Sequence, residues 1–179
     1  TSNWPRQRDM DSTKIVGSAS SGAPDPRALR RVCGRFATGV AIIGACAPQG
    51  RPVGLTVNSF ASLSLDPPLI IWSLARHSPN AALFQSGEAF GVSILRAGHD
   101  ELARRFARPQ PDKFAGVPHW RCPRGVPYLD EALATLSCRV ERADPLGDHL
   151  LIVGAVEDFA ASEGDPLVFY GGDFVRVAA

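Results

Sequence analysis

The stretch VAIIGACAPQGRPVGLTVNS (residues 40–59) predicts how the chain folds. It contains two apolar runs, VAIIGACA (40–47) and PVGLTVNS (52–59), separated by PQGR, in which Gly50 suits a tight turn. Two such runs joined by a short segment that contains glycine are typical of a β-hairpin. We therefore expect a pair of antiparallel strands here, and a sheet built around them.

Six further segments have the short, apolar and β-branched character of strands. They are LIIWSLA (69–75), AFGVSIL (89–95), ATLSCRVERAD (134–144), HLLIVGAVEDF (149–159), PLVFY (166–170) and FVRV (174–177). Strands and helices do not alternate along the chain, which argues against a doubly wound parallel sheet. Seven or eight short strands separated by turns predict a mainly β fold, a closed or partly closed antiparallel barrel.

Three short helices are expected beside the strands. Asp25 can cap a first helix, Pro26 suits its first position, and the helix is expected to run to residues 38–39. Apolar side chains recur in it at helical spacing: Leu29, Val32, Cys33 and Phe36. A second helix is predicted over residues 78–86 from the Ser-Pro that begins it, and a third over residues 99–106.

The composition is that of one ordinary globular domain. The 179 residues are 45% hydrophobic and 21% charged, with a formal net charge of +1, a balance that predicts neither a nucleic-acid surface nor an anionic-membrane surface. No apolar run reaches the roughly 20 residues of a membrane helix. Residues 1–24 are polar and interrupted by Ser, Gly and Pro, so we expect a flexible tail before a domain over residues 25–179. No leader segment opens the chain as given, and the cytoplasm is the expected location.

Several signatures of metal sites and enzymes are missing from the sequence. The four cysteines and four histidines do not fall at zinc-binding spacings, so no metal site is expected. There is no GxGxxG after a strand, no GxxxxGK[ST], no HExxH and no GxSxG. Local motifs therefore predict neither a Rossmann dinucleotide site nor a hydrolase.

Small neutral polar side chains follow the hairpin. Strand periodicity in GLTVNSFASLSL (54–65) puts Thr56, Asn58 and Ser62 on one side, and residues 52–65 carry no charge. Such groups suit the edge atoms of a large, flat, heteroaromatic ligand, and a flavin has that shape. The alternative is that these hydroxyls only bond to neighbouring strands.

The corner SLARHSPN (73–80) has the residue types of an anion site. Arg76, His77 and Ser78 lie where the second helix is expected to begin, and a helix start together with a guanidinium favours phosphate. The alternative is a simple cap at Ser78 and a solvated Arg76. The long segment over residues 107–128, rich in Pro, Arg and Gly, is a candidate cover for a ligand.

Taken together, these pieces resemble the flavin reductase family, the reductase components of two-component flavin-dependent monooxygenases. The matching segments are FATGVAII (36–43), RPVGLTVNSFASLSLDPPLI (51–70), FGVSIL (90–95), ARRFARPQPDKFAGV (103–117), GDHLLIVGAV (147–156) and PLVFYGGDFVRV (166–177). The resemblance implies an antiparallel split β-barrel of the Greek-key type with a few short helices. It also implies a homodimer with the flavin near the subunit interface.

The resemblance also implies site residues. It assigns flavin contacts to Thr56, Val57, Asn58, Ser59, Ser62, Arg76, His77, Ser78, Lys113 and Phe114. His149, in Gly-Asp-His, corresponds to a histidine near the nicotinamide or the flavin. Relatives often carry an acidic residue where Ala75 stands and a hydroxyl where His77 stands, so FMN and FAD both remain open.

The activity implied by the resemblance is hydride transfer from NADH or NADPH to free FAD or FMN, with NADH the expected donor. The two cofactors carry this chemistry, so no catalytic side chain is expected. Asn58 or nearby backbone N–H groups are hypothesised to stabilise charge that develops on the ring. The reduced flavin is expected to diffuse to a partner monooxygenase. The alternative is a non-catalytic split-barrel carrier of flavin or haem, or a redox sensor.

Overall fold

The computed structural model describes residues 24–85 and 87–177, so the predicted tail lies outside the described residues except for Pro24. The helices are α1 (Pro26–Cys33) and α2 (Asp100–Ala107), and two 3₁₀ turns span Pro48–Gly50 and Ala81–Leu83. The strands are β1 (Thr38–Gly39), β2 (Ala41–Ala47), β3 (Arg51–Val57), β4 (Ala61–Leu65), β5 (Pro68–Ala75), β6 (Ala89–Ile94), β7 (His119–Arg121), β8 (Pro127–Leu129), β9 (Ala134–Leu146), β10 (His149–Ala161), β11 (Val168–Tyr170) and β12 (Asp173–Val175).

Seven of these strands form one antiparallel sheet that curls into a barrel. Its order is β3-β2-β6-β9-β10-β5-β4, so that β3 and β4 are its two edges and the barrel stays open between them. The predicted hairpin is confirmed, because β2 pairs with β3 from Ala41 opposite Val57 to Ala47 opposite Arg51. A smaller sheet, β1-β11-β12, and the separate hairpin β7-β8 complete the fold. The predicted antiparallel split barrel is confirmed.

Strand β2 is buried on both faces because the barrel has two cores. The side chains that point into the barrel include Ile43, Trp72, Phe84, Phe90 and Ile152. A second cluster lies on the outside of the sheet, where α2 and the segment after it pack against β2. It includes Ile42, Leu95, Ala103, Phe106, Phe114 and Leu129. This outer layer positions α2 beside β3.

The hairpin β7-β8 lies on the outer face of the sheet. The ring of Tyr128, in β8, approaches Gly91 of β6 so closely that a Cβ there would lie 2.6 Å from a ring carbon. The sequence suggested that residues 107–128 are irregular throughout, and the structure shows that they are not. The first part of this segment lies near β3, and the last part is an ordered hairpin.

Of the three predicted helices, the first is shorter than predicted and the third is confirmed. The carboxylate of Asp25 accepts from the backbone N–H of Arg27 at 3.0 Å, which confirms the predicted cap of α1. However, α1 ends at Cys33, and Phe36 beyond it is 77% exposed. The helix over residues 99–106 is confirmed as α2, within one residue at each end.

The prediction of a helix over residues 78–86 is wrong for the described part of that range. The chain makes one 3₁₀ turn there, with Leu83 N–H donating to Asn80 and Phe84 N–H donating to Ala81. Phe84 is fully buried against Trp72, their ring centroids 4.8 Å apart, and this contact draws the chain into the barrel instead of along a helix axis.

The predicted row of polar side chains is also interrupted. Strand β3 ends at Val57, and after a bend the chain continues as β4, which pairs with β5 so that Ser62 lies opposite Ile70. Thr56 and Ser62 therefore belong to opposite edges of the open barrel. The uncharged sequence forms two strands instead of one, because residues 58–60 cross from one edge to the other.

Among the helices of the described ranges, 24–85 and 87–177, none has the length and apolar character needed to cross a membrane.

Candidate functional site

The edge of β3 that faces away from β2 has backbone groups that no neighbouring strand pairs with. The carbonyl of Gly54 accepts from Lys113 Nζ at 3.1 Å, so it points away from β2. Alternate residues of a strand direct their backbone groups to opposite edges. Pro52 and Thr56 consequently share this orientation, and the N–H and C=O of Thr56 point into the opening of the barrel.

A cavity of about 790 Å³ occupies this opening. One wall is β3, the opposite wall is the end of β5 from Ser73 to Ala75, and the floor between them is fixed by Ser59 Oγ, which accepts from the N–H of Ser73 at 2.9 Å. The volume is in the range of cofactor-sized sites. The pocket thus lies in the split of the barrel.

The pocket brings together most of the residues that the sequence predicted. Eight of them line it: Thr56, Val57, Asn58, Ser59, His77, Ser78, Lys113 and His149. The other three lie elsewhere. Ser62 is in β4, exposed Arg76 donates to the carbonyl of Gly147 at 3.3 Å, and Phe114 is buried against Phe106 with ring centroids 4.8 Å apart.

The hydroxyl of Thr56 has a structural partner. Thr56 Oγ1 donates to the carbonyl of Ala103 in α2 at 2.7 Å. The side chain of Thr56 therefore ties β3 to α2, and its backbone is what remains for a ligand. Asn58, in the bend that follows β3, is exposed and lines the pocket.

The predicted anion corner has no helix start, so the helix dipole contributes nothing there. Ser78 Oγ instead accepts from the N–H of Asn80 at 3.3 Å in a turn. His77 and Ser78 still line the pocket. An anion at this corner could therefore contact side chains and individual backbone N–H groups of the turn, but not a helix N-terminus.

His149 is oriented by its neighbour. It lies opposite Ala75 across β10 and β5, and its Nδ1 is 2.7 Å from Asp148 Oδ1. The hydrogen bond to His149, with the charges of His149 and His77 adding to it, lowers the pKa of the Asp148 carboxyl below its ordinary value. This contact leaves Nε2 as the ring nitrogen free to face a ligand.

The electrostatic character of the pocket was not predicted. Within the described part of the chain, every ionisable side chain in the lining is basic: Arg51, His77, Lys113 and His149. Arg51 was not among the predicted site residues, whereas the predicted cover over residues 107–128 contributes Pro109, Gln110 and Pro111 to the lining. The net charge of +1 gave no sign of a basic pocket, because the acidic residues lie elsewhere on the surface.

Lys113 is held among backbone carbonyls. Its Nζ donates to Phe106 at 2.7 Å, in the last turn of α2, as well as to Gly54. Burial lowers the pKa of this ammonium below its ordinary value. The lysine therefore joins three elements: the edge of β3, the end of α2 and the segment that follows the helix.

Residues 33–178 match the model of one protein family, described as the flavin reductase like domain. This match covers most of the chain. The chain belongs to the flavin reductase family.

Two named relatives resemble this chain over most of their length. The chain is 42% identical over 155 residues to the FMN reductase (NADH) SmoA of Agrobacterium fabrum, covering 87% of this chain and 88% of that protein. It is 36% identical over 162 residues to HsaB of Rhodococcus jostii, the reductase subunit of a flavin-dependent monooxygenase, covering 90% and 83%.

One solved flavin reductase contains pieces of both ligands. It is the NADH:FAD oxidoreductase SgcE6 of Streptomyces globisporus C-1027 in complex with NAD and FAD fragments. It matches this chain with a TM-score of 0.80 and 34% identity, covering 86% of this chain and 93% of that one.

The described residues contain no group of three or more His, Cys, Asp or Glu side chains arranged to hold a metal ion. What this flavin reductase offers a ligand is a cavity with the backbone of Thr56 in one wall, Leu55 and Leu74 in the lining, and basic groups around it.

Proposed function

We propose that this protein is an NAD(P)H-dependent flavin reductase that delivers reduced flavin to a partner monooxygenase. The observation that carries the proposal is the basic pocket in the open barrel. A chain of nearly balanced charge places Arg51, His77, Lys113 and His149 around one cavity. Flavin nucleotides and nicotinamide dinucleotides are both phosphate-bearing anions, and clustered basic groups favour such ligands.

The pocket residues fit a flavin on chemical grounds. Thr56 offers backbone groups and Asn58 a side-chain amide to the polar edge of a flat ring, and Leu55 and Leu74 offer apolar surface. When both are bound, the reduced nicotinamide supplies a hydride and the flavin accepts it. The part of the protein is to orient both ligands and to stabilise charge that develops on the ring.

His149 is assigned to the nicotinamide-binding part of the pocket. It is the first residue of β10, opposite Ala75 at the end of β5, and the contact with Asp148 fixes its ring. SmoA and SgcE6 both carry NADH in their names, which supports NADH as the donor. The expected location is the cytoplasm, where cells keep their reduced nicotinamide pool.

The deciding experiment is steady-state oxidation of NADH and of NADPH, each with FMN, with FAD and without flavin. We expect oxidation near zero without flavin and turnover that saturates with added flavin, since the flavin acts as a substrate. The same assay establishes the preferred donor and acceptor. If flavin binds but no combination is oxidised, the protein is a carrier or sensor and the proposal is wrong.

We also propose that two copies of the chain associate. Leu63 and Leu65 are exposed on β4, an edge strand, and Leu65 is 90% exposed. Proteins normally protect such edges with charges or cover them. A second copy that covers this face would lie along β4, beside the first residues of β5, Pro68 and Leu69.

Association is tested by light scattering after size-exclusion chromatography at micromolar concentration. We expect twice the mass of one chain, and one chain mass for the double variant Leu63→Glu/Leu65→Glu, because two charges cannot be buried unpaired. As a control, Val177→Glu changes an exposed apolar residue far along the chain from β4. A monomeric unsubstituted protein contradicts this proposal.

A further inference from the structure

Residues 107–112 form a segment that we call the strap. It leaves the end of α2, and Ala107, Pro109, Gln110 and Pro111 form one wall of the pocket. Two prolines within three residues restrict its backbone, because each fixes its own φ angle. The strap touches the pocket without being part of the paired sheet, so other contacts must hold it.

Both ends of the strap are tied. At its far end, the carboxylate of Asp112 accepts from the N–H groups of Phe114 and Ala115, both at 3.1 Å. Lys113 joins that end to the near end through its 2.7 Å hydrogen bond to the carbonyl of Phe106. The second bond of the ammonium, to Gly54 at 3.1 Å, ties the closed strap to β3.

These bonds account for most of what a lysine can donate. An ammonium has three N–H groups, and two of them meet backbone carbonyls here. One of these carbonyls ends a helix, where a positive charge is favoured by the helix dipole. Burial lowers the pKa of Lys113, which agrees with a part-buried ammonium between two backbone carbonyls.

We propose that Lys113 is a positioning residue, which shapes the ligand pocket by fixing the strap to β3 and α2, and not the residue that binds the ligand phosphate. This inference rests on the proposed function for the identity of the ligand. It gives Lys113 a different role from the flavin-tail contact that the sequence resemblance implies.

The two roles differ in what they predict for a flavin without a phosphate. Riboflavin has the same ring and ribityl chain as FMN but lacks the phosphate. A residue that binds phosphate contributes to FMN affinity alone. A residue that shapes the pocket contributes equally to both ligands, because the strap must be ordered for either one.

The test is equilibrium binding of riboflavin and FMN, followed by flavin fluorescence, to the full chain and to Lys113→Met. Methionine keeps the apolar stem and removes all three donors. We expect the Kd of both ligands to rise by the same factor, about tenfold.

A matched control removes a charge without removing the ties. Arg108 lies in the same strap, is exposed and is outside the pocket lining. Arg108→Met is therefore expected to leave both Kd values within about twofold of those of the unsubstituted protein. An equal effect of the two variants would mean that net charge, not the ties, sets the affinity, and would contradict the proposal.

Further outcomes would also overturn it. A rise in Kd for FMN alone identifies Lys113 as a phosphate ligand, and unchanged Kd values for both ligands mean that the strap does not depend on it. If Lys113→Met does not fold, Lys113→Arg is tested instead. If Lys113 binds the phosphate, the arginine variant keeps its preference for FMN over riboflavin. If Lys113 is a positioning residue, the arginine variant loses affinity for both flavins. Because binding is measured without NADH, failure of the proposed reductase activity is recorded separately.

Discussion

The substitution Trp72→Ala is expected to lower the free energy of unfolding by about 3–5 kcal/mol. Trp72 lies in the middle of β5 with 0% of its surface exposed, and its ring centroid is 4.8 Å from that of Phe84 and 5.9 Å from that of Phe90. The strands around Trp72 are held in place by their pairing in the sheet, which limits how far the neighbouring side chains can move into the vacated space. A cavity therefore remains. Unfolding in urea at constant temperature measures the loss.

The matched comparison is Trp72→Phe. The indole Nε1 of Trp72 has no hydrogen-bond partner among the described residues, although it is buried. Phenylalanine keeps a ring in contact with Phe84 and Phe90 and removes that unpaired donor, which itself costs stability. We expect a loss of about 1–2 kcal/mol, less than half of the alanine effect. Equal losses for the two variants would show that ring packing is not what stabilises this core.

The second large effect is expected at Gly54, where β3 meets the outer core. A Cβ on this residue would lie 2.3 Å from Phe106 and 3.1 Å from Phe114. Both rings are buried and packed against each other, so neither can move freely. Gly54→Ala is therefore expected to lower the free energy of unfolding by about 1–3 kcal/mol through overpacking.

The same substitution is expected to weaken flavin binding, because Gly54 and Phe106 both line the pocket and both carbonyls bind Lys113. Gly39→Ala is the matched control. Gly39 lies in β1, and no described atom is within 4 Å of the position its Cβ would take. We expect the control to change stability by less than about 1 kcal/mol. A Gly54→Ala protein as stable as this control would contradict the close approach of β3 and α2.

Local patterns predicted most of the sheet. Strands β2, β3, β5, β6, β9 and β10 agree with the predicted segments to within about two residues, since alternation and β-branched composition are properties of a few neighbouring residues. The cap at Asp25 was predictable for the same reason. The start of β4 was not, because the bend over residues 58–60 depends on pairing with β5, a partner that sequence periodicity does not identify.

The contacts of the site were less predictable than its location. The polar residues of β3 do line the pocket, but the hydroxyl of Thr56 is used by Ala103, 47 residues away. Ser-Pro at residues 78–79 is a sound helix start in isolation, and burial of Phe84 overrides it. Arg51 joins the basic lining because the barrel is open along β3, and that is a property of the whole sheet.

The free edge of β3 also bears on aggregation. An unpaired strand edge is a template on which a strand from another molecule can add. Pro52 presents no N–H on that edge, Lys113 occupies the carbonyl of Gly54, and the strap lies alongside. An incoming strand would find its hydrogen-bonding partners interrupted, whereas a flat molecule needs only the short stretch around Thr56. The β3 edge of the split barrel thus suits a small ligand better than an added strand.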